Sequence, residues 1–113
     1  MKKLLFLFLL LIISCSSFKS GLTIPANETF ILGESNSKNY LAELVNTSNY
    51  EVKIRGEKKN GEYTQGFGLA PKGKVTVYVS SDEIIKFINN NNLPVKVNVK
   101  MNKEVYGMRY IKN

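Results

Sequence analysis

The sequence predicts an all-β protein: an antiparallel, immunoglobulin-like β-sandwich with one short helix, a small β-barrel being the alternative. Apolar and polar residues alternate with a period of two at residues 50–55, 74–80 and 93–101, the mark of strands with one buried and one wet face. Turn chemistry recurs about every 8 to 15 positions, too often for long helices and well spaced for short strands. Seven candidate strands fit within residues 28–113, enough for two packed sheets.

The first candidate strand is Thr29-Phe30-Ile31-Leu32, entered at Glu28, and residues 33–39 form a polar loop. Residues 40–46 are strand-like, with apolar residues on both faces. Asn46-Thr47-Ser48-Asn49 is a turn, because these short side chains hydrogen-bond their own backbone. In residues 50–55, Tyr50, Val52 and Ile54 face inward while Glu51, Lys53 and Arg55 face water. Asn60-Gly61 is the pair favoured where a hairpin needs positive φ. The return strand, 62–69, sets Tyr63, Gln65, Phe67 and Leu69 on one face and Thr64, Gly66 and Gly68 on the other. After Ala70-Pro71-Lys72-Gly73 turns the chain, Val75, Val77 and Val79 point inward and Lys74, Thr76 and Tyr78 outward.

The one helix is expected over residues 82–89, with a bulged strand as the alternative. Ser81 can cap it, Asp82 and Glu83 lie in the first turn where the helix dipole favours them, and Ile84, Ile85, Phe87 and Ile88 form an apolar stripe. Residues 93–101 are the clearest strand after 50–55, with Val95, Val97, Val99 and Met101 inward and Lys96, Asn98 and Lys100 outward. Asn102-Lys103 leads into a last strand over residues 105–111.

Composition narrows the chemistry. The chain has no histidine, no tryptophan and one cysteine. A Ser-His or Cys-His pair, a zinc site of the usual N/S kind and an internal disulfide are therefore ruled out. No P-loop, dinucleotide fingerprint or EF-hand spacing is present. The eight glutamates and single aspartate supply no carboxylate pair of catalytic character, Asp82-Glu83 being accounted for by a helix start. No catalytic residue, metal or cofactor is expected.

The amino terminus carries an address. Lys2 and Lys3 precede an unbroken apolar run, residues 4–13, which as a helix spans only about 15 Å and is too short to cross a bilayer. A charged start, a short apolar stretch and small residues is the layout of an export signal. Within it, Ile12-Ile13-Ser14-Cys15 resembles the lipobox of bacterial lipoproteins. The resemblance implies a diacylglycerol thioether on Cys15, cleavage between Ser14 and Cys15, and frequent acylation of the new amino terminus. The thiol is the nucleophile and the small Ser14 admits the peptidase. The chain then divides into a signal peptide (1–14), a lipid-anchored tether carrying Ser20-Gly21 and Pro25 (15–27), and one domain (28–113). Two or three acyl chains would anchor it stably. Ser16, where an acidic residue retains some lipoproteins at the inner membrane, points to the outer membrane of a bacterial envelope.

Net charge is +7 over the whole chain and about +5 once Lys2 and Lys3 are removed. For an exported protein that balance points to anionic lipid headgroups, phosphorylated glycans or acidic proteins rather than to nucleic acid. Two groups of residues are candidates. Lys96, Lys100, Lys103, Arg109 and Lys112 would form an anion-binding patch if they shared a face, though lysines on edge strands also block sheet-to-sheet pairing. Gly66 and Gly68, beside outward Tyr78, would form a bare face for a flat ligand, or would simply let a neighbour approach. The expected role is a non-enzymatic binding or structural module for an anionic glycan, lipid or partner protein of the envelope. An inhibitor of an envelope-attacking hydrolase and a secretion or assembly accessory are the alternatives.

Overall fold

The computed structural model describes residues 18–113, which form nine strands and no helix. In chain order these are β1 (Phe18–Ile24), β2 (Glu28–Leu32), β3 (Tyr40–Asn46), β4 (Val52–Lys58), β5 (Tyr63–Leu69), β6 (Lys74–Val79), β7 (Glu83–Ile88), β8 (Val95–Met101) and β9 (Met108–Lys112). They make two antiparallel sheets, a four-stranded sheet A in the order β1-β8-β3-β6 and a five-stranded sheet B in the order β5-β4-β7-β2-β9. The predicted antiparallel sandwich is observed, and the barrel is not, because the sheets remain separate.

Three expectations are corrected. First, the connectivity is that of a jelly roll rather than an immunoglobulin domain: only β4 and β5, joined through Asn60-Gly61, are both consecutive and paired. Every other turn carries the chain to the opposite sheet or past a neighbour, and turn chemistry does not distinguish a hairpin from such a corner. Gly61 takes the positive φ the hairpin needs, at 95°.

Second, the predicted helix over 82–89 is strand β7. It lies between β4 and β2 in sheet B; Ile85 and Phe87 join the core between the sheets, and Ile84, on the other face, is buried as well. A strand buried on two sides reads as a continuous apolar run, which periodicity alone does not separate from a helix. Third, the tether expected over 15–27 is structured from Phe18 onward. β1 pairs with β8 over all seven residues, from Phe18↔Met101 to Ile24↔Val95, and buries Leu22 and Ile24 in the core. Residues 18–24 therefore belong to the domain, which does not start at Glu28. Ser14 and Cys15 lie outside the described residues.

The core fills the space between the sheets. Sheet A contributes Ile24, Leu44, Val79, Val95, Val97 and Val99; Phe30, Ile54, Ile85 and Phe87 face them from sheet B. Phe30 is the centre of an aromatic row, with ring centroids 5.8 Å from Phe87 and 5.0 Å from Tyr110. The Tyr110 hydroxyl then donates to the Thr23 carbonyl at 3.0 Å, tying edge strand β9 of one sheet to edge strand β1 of the other.

Buried polar groups close the two ends. Asn46 and Asn89, both fully buried, end strands β3 and β7. The Asn46 amide donates to the Tyr50 and Leu69 carbonyls, and its oxygen accepts from the Ser48 backbone and hydroxyl. The Asn89 amide reaches the carbonyls of Ile24, Pro25 and Leu93. Each replaces lost ladder bonds where the chain leaves a sheet, the condition for burying irregular backbone. At the other end, Gly33 donates to the Gly107 carbonyl at 2.7 Å. Gly107 has φ 88°, and a Cβ there would lie 2.5 Å from the Ser35 nitrogen, so conformation and space both require glycine.

Because Ile24 is completely buried, Ile24→Ala should lower unfolding free energy by about 3 kcal/mol. Urea denaturation checks this; a residue of a solvated tether would give no measurable change.

Candidate functional site

The strand register decides which charged side chains meet. On the outer face of sheet A, Lys19 is directly opposite Lys100, and Lys100 is opposite Glu43 on its other side. The next row places Gly21 opposite Asn98 and Asn98 opposite Val45. Gly21 carries no side chain and Val45 is short, so the second row is a floor between longer neighbours. The result is a groove of about 410 Å³ lined by Lys19, Gly21, Glu43, Val45, Asn98 and Lys100.

The electrostatics of this face are unbalanced. Its outward strand residues include four lysines (Lys19, Lys74, Lys96 and Lys100) and one acid, Glu43. Glu43 is engaged by Lys74 at 3.5 Å. Among the described residues Lys19, Lys96 and Lys100 form no ion pair. Like charges directly opposite each other in an antiparallel pair are unfavourable, so Lys19 and Lys100 together suit a bound anion. Asn98 on the floor offers an amide donor.

Sheet B is arranged differently. Its outer face also carries a row of cations, with Arg55 opposite Lys86 and Ile31 between Lys86 and Arg109. Each has a carboxylate. Glu57 receives Arg55 at 2.5 Å and Lys86 at 3.0 Å, while Glu34 receives two Arg109 nitrogens at 2.6 and 2.9 Å. A second hollow of about 350 Å³ lies over β4 and β5. The Arg55 guanidinium sits 4.8 Å from the Tyr63 ring centre at its rim.

The predicted basic patch is therefore divided. Lys96 and Lys100 lie on β8 in sheet A, Lys103 in the β8–β9 connection, and Arg109 and Lys112 on β9 in sheet B. Arg109 is already bound to Glu34. The predicted glycine face is divided too, because Tyr78 is on β6 of sheet A while Gly66 and Gly68 are on β5 of sheet B. Gly66 and Gly68 both line the hollow over β4 and β5. A Cβ at Gly66 would lie 2.8 Å from the Tyr63 hydroxyl, and one at Gly68 would lie 2.6 Å from a Glu51 carboxylate oxygen. Lys19, Gly21, Glu43 and Lys74 were the missing members of the site. Nothing local marks them; only the β1–β8 and β3–β6 registers bring them together.

Three glutamate carboxyls are held below their ordinary range, and the Ser80 hydrogen bond lowers Asp82 as well. Burial pushes Glu57 up, but hydrogen bonds and charge from Lys86 and Arg55 outweigh it. Burial likewise raises Glu83, and bonds donated by the Thr64 and Ser80 hydroxyls and the Ser80 N–H more than offset this. At Glu34 the Arg109 hydrogen bond dominates. Burial, with the charge of Glu83, raises the Tyr40 hydroxyl, which has no hydrogen-bond partner.

Neither a protein-family model nor a curated protein matches this sequence. Solved structures do match its shape. Oxalate decarboxylase from Bacillus subtilis superposes with a TM-score of 0.59 at 11% identity, covering 89% of this chain and 25% of that one. Peruvianin-I, a cysteine peptidase from Thevetia peruviana latex, gives 0.59 at 8% identity over 86% of this chain and 56% of that one. Procruciferin, an 11S globulin from Brassica napus, gives 0.51 at 10% identity, covering 86% and 22%. The chain thus spans between about a quarter and just over half of each, and at these identities the likeness is one of fold alone.

The lowered glutamates set the acid limit of stability. In the unfolded chain they titrate near pH 4.3; in the folded protein they titrate lower, so between those values the unfolded state binds more protons. Stability should be full above about pH 5 and should fall as pH drops through the folded values. Glu83→Gln should be less stable than the parent at pH 7 and should flatten this acid limb, as followed by thermal unfolding between pH 2 and 7.

Proposed function

We propose that this protein is a lipid-anchored lipoprotein of the bacterial envelope, carrying a non-enzymatic binding module on the outer face of sheet A. Its ligand is anionic, with phosphate or carboxylate groups of a glycan or lipid. The observation that carries this reading is the Lys19–Lys100 pair, set directly opposite one another beside a glycine-floored groove with no free acid to neutralise it. The lipobox resemblance at Ile12-Ile13-Ser14-Cys15 supports the address.

Recognition on this surface is electrostatic and geometric. Lys19 and Lys100 supply point charges, Asn98 an amide, and Glu43 with Lys74 fixes one wall. Such a site selects multivalent anions over single ones, because one phosphate spans only part of a face that continues to Lys96. Exposed lysines bind through solvent, so affinity should be modest and should weaken as salt rises.

Two measurements test the address and the groove separately. Metabolic labelling with an alkyne fatty acid should mark the natural protein, and Cys15→Ala should take no label and stall as a longer precursor. Detergent-extracted natural protein should bind immobilised polyphosphate, and Lys19→Ala with Lys100→Ala should weaken this by roughly tenfold or more at low salt. Lys53→Ala, on sheet B, should change it little. Equal losses from both changes would reduce the effect to net charge and remove the groove from the reading.

A further inference from the structure

We infer that the outer face of sheet A docks on an anionic bilayer, the same one that holds the anchor, with Leu41 and Tyr78 at the acyl boundary and Lys19 and Lys100 among the lipid phosphates. The inference rests on lipidation of Cys15 and names the ligand of the groove.

Chain length supplies the first constraint. Cys15 precedes Phe18 by three residues, and three residues fully extended reach at most about 11 Å. One headgroup layer is itself about 5 to 8 Å thick. From Phe18 onward the chain is hydrogen-bonded to β8. The anchored end of sheet A is therefore held at the membrane surface, with no spacer to lift the domain away.

The order of side chains from that end supplies the second. Leu41 is directly opposite Tyr78 on the outer face, one residue nearer the anchored end than the row containing Phe18, Met101 and Ala42. Leu41 is 45% exposed, Tyr78 56% and Phe18 43%. One outward row further, two residues or about 7 Å along the strands, lie Lys19, Lys100 and Glu43. Lys96 follows about 13 Å beyond Lys100 by the same rise. Apolar and aromatic groups nearest the anchor, then lysines, is the sequence of environments met on leaving a bilayer.

Charge supplies the third. Anionic lipid attracts nearby unpaired lysines. Lys19, Lys96 and Lys100 share this face, whereas on sheet B Arg55 and Lys86 are paired with Glu57 and Arg109 with Glu34, and Lys53 makes no ion pair among the described residues. The groove beside Gly21 has room for headgroup phosphates between Lys19 and Lys100.

The chain has no tryptophan, so one introduced indole reports its own surroundings. The natural lipidated protein carrying Leu41→Trp is reconstituted into phosphatidylglycerol vesicles with brominated acyl chains, and into phosphatidylcholine vesicles of the same kind. Expected is a blue-shifted emission, quenched strongly in phosphatidylglycerol and weakly in phosphatidylcholine, with Lys53→Trp unquenched in both. Adding Lys19→Glu and Lys100→Glu should abolish the quenching while the protein still sediments with vesicles. A sedimenting protein whose Leu41→Trp is not quenched, or whose two indoles are quenched alike, overturns docking and leaves the anchor standing. Polyphosphate binding without quenching has the same consequence and assigns the groove to a soluble polyanion. A protein that takes no fatty acid and stays in the supernatant overturns anchor and docking together.

Discussion

The seven-residue ladder between β1 and β8 is the pairing on which the rest depends. It adds the fourth strand to sheet A, delivers Leu22 and Ile24 to the core, and sets the edge that Tyr110 reaches from sheet B. It also fixes the site, since a slip of one residue would turn Lys19 and Gly21 inward and Ser20 and Leu22 outward. With alternation of this kind, core burial determines the outer register. The lysine pair is positioned by residues on the opposite face of its own strands.

How legible each element was follows from how it is buried. β8 could be read directly, because Val95, Val97, Val99 and Met101 are buried and the residues between them exposed. The same holds for Val52 and Ile54 in β4. β7 could not, because it carries apolar residues on both faces, Ile85 and Phe87 on one and Ile84 and Ile88 on the other, and so loses its alternation. β1 was hidden for the opposite reason: Lys19, Ser20 and Gly21 are poor strand formers, and only Leu22 and Ile24 of its seven residues are buried hydrophobics. An edge strand with so few core residues gets its structure from its partner. The site was illegible on similar grounds. Lys19 and Lys100 are 81 positions apart, and no local pattern encodes a cross-strand neighbour.

The two outer faces treat comparable numbers of cations in different ways. On sheet B two carboxylates hold three of them, with Glu57 shared by Arg55 and Lys86 and Glu34 gripping Arg109 at both oxygens, and among the described residues only Lys53 of the outward cations makes no ion pair. Such pairs on a sheet surface stabilise modestly and leave little field for a ligand. On sheet A the one acid is held by Lys74, and three lysines remain unmatched. Among the described residues, three unpaired lysines thus share the face whose first strand follows the predicted anchor most closely in sequence.

Protection of an exposed edge is the competing account of these lysines, and the topology separates the two. Lys19 is on β1, an edge strand, where a lysine does discourage pairing with a foreign strand. Lys96 and Lys100 are on β8, an interior strand hydrogen-bonded to β1 on one side and β3 on the other. β8 has no free edge to protect, yet it holds two of the unmatched lysines, one of them facing Lys19. Edge protection would also be met as well by a glutamate at position 19, which would pair with Lys100 rather than oppose it. A cation at 19 against a cation at 100 adds repulsion within the free protein, which the anion proposed for this groove would relieve.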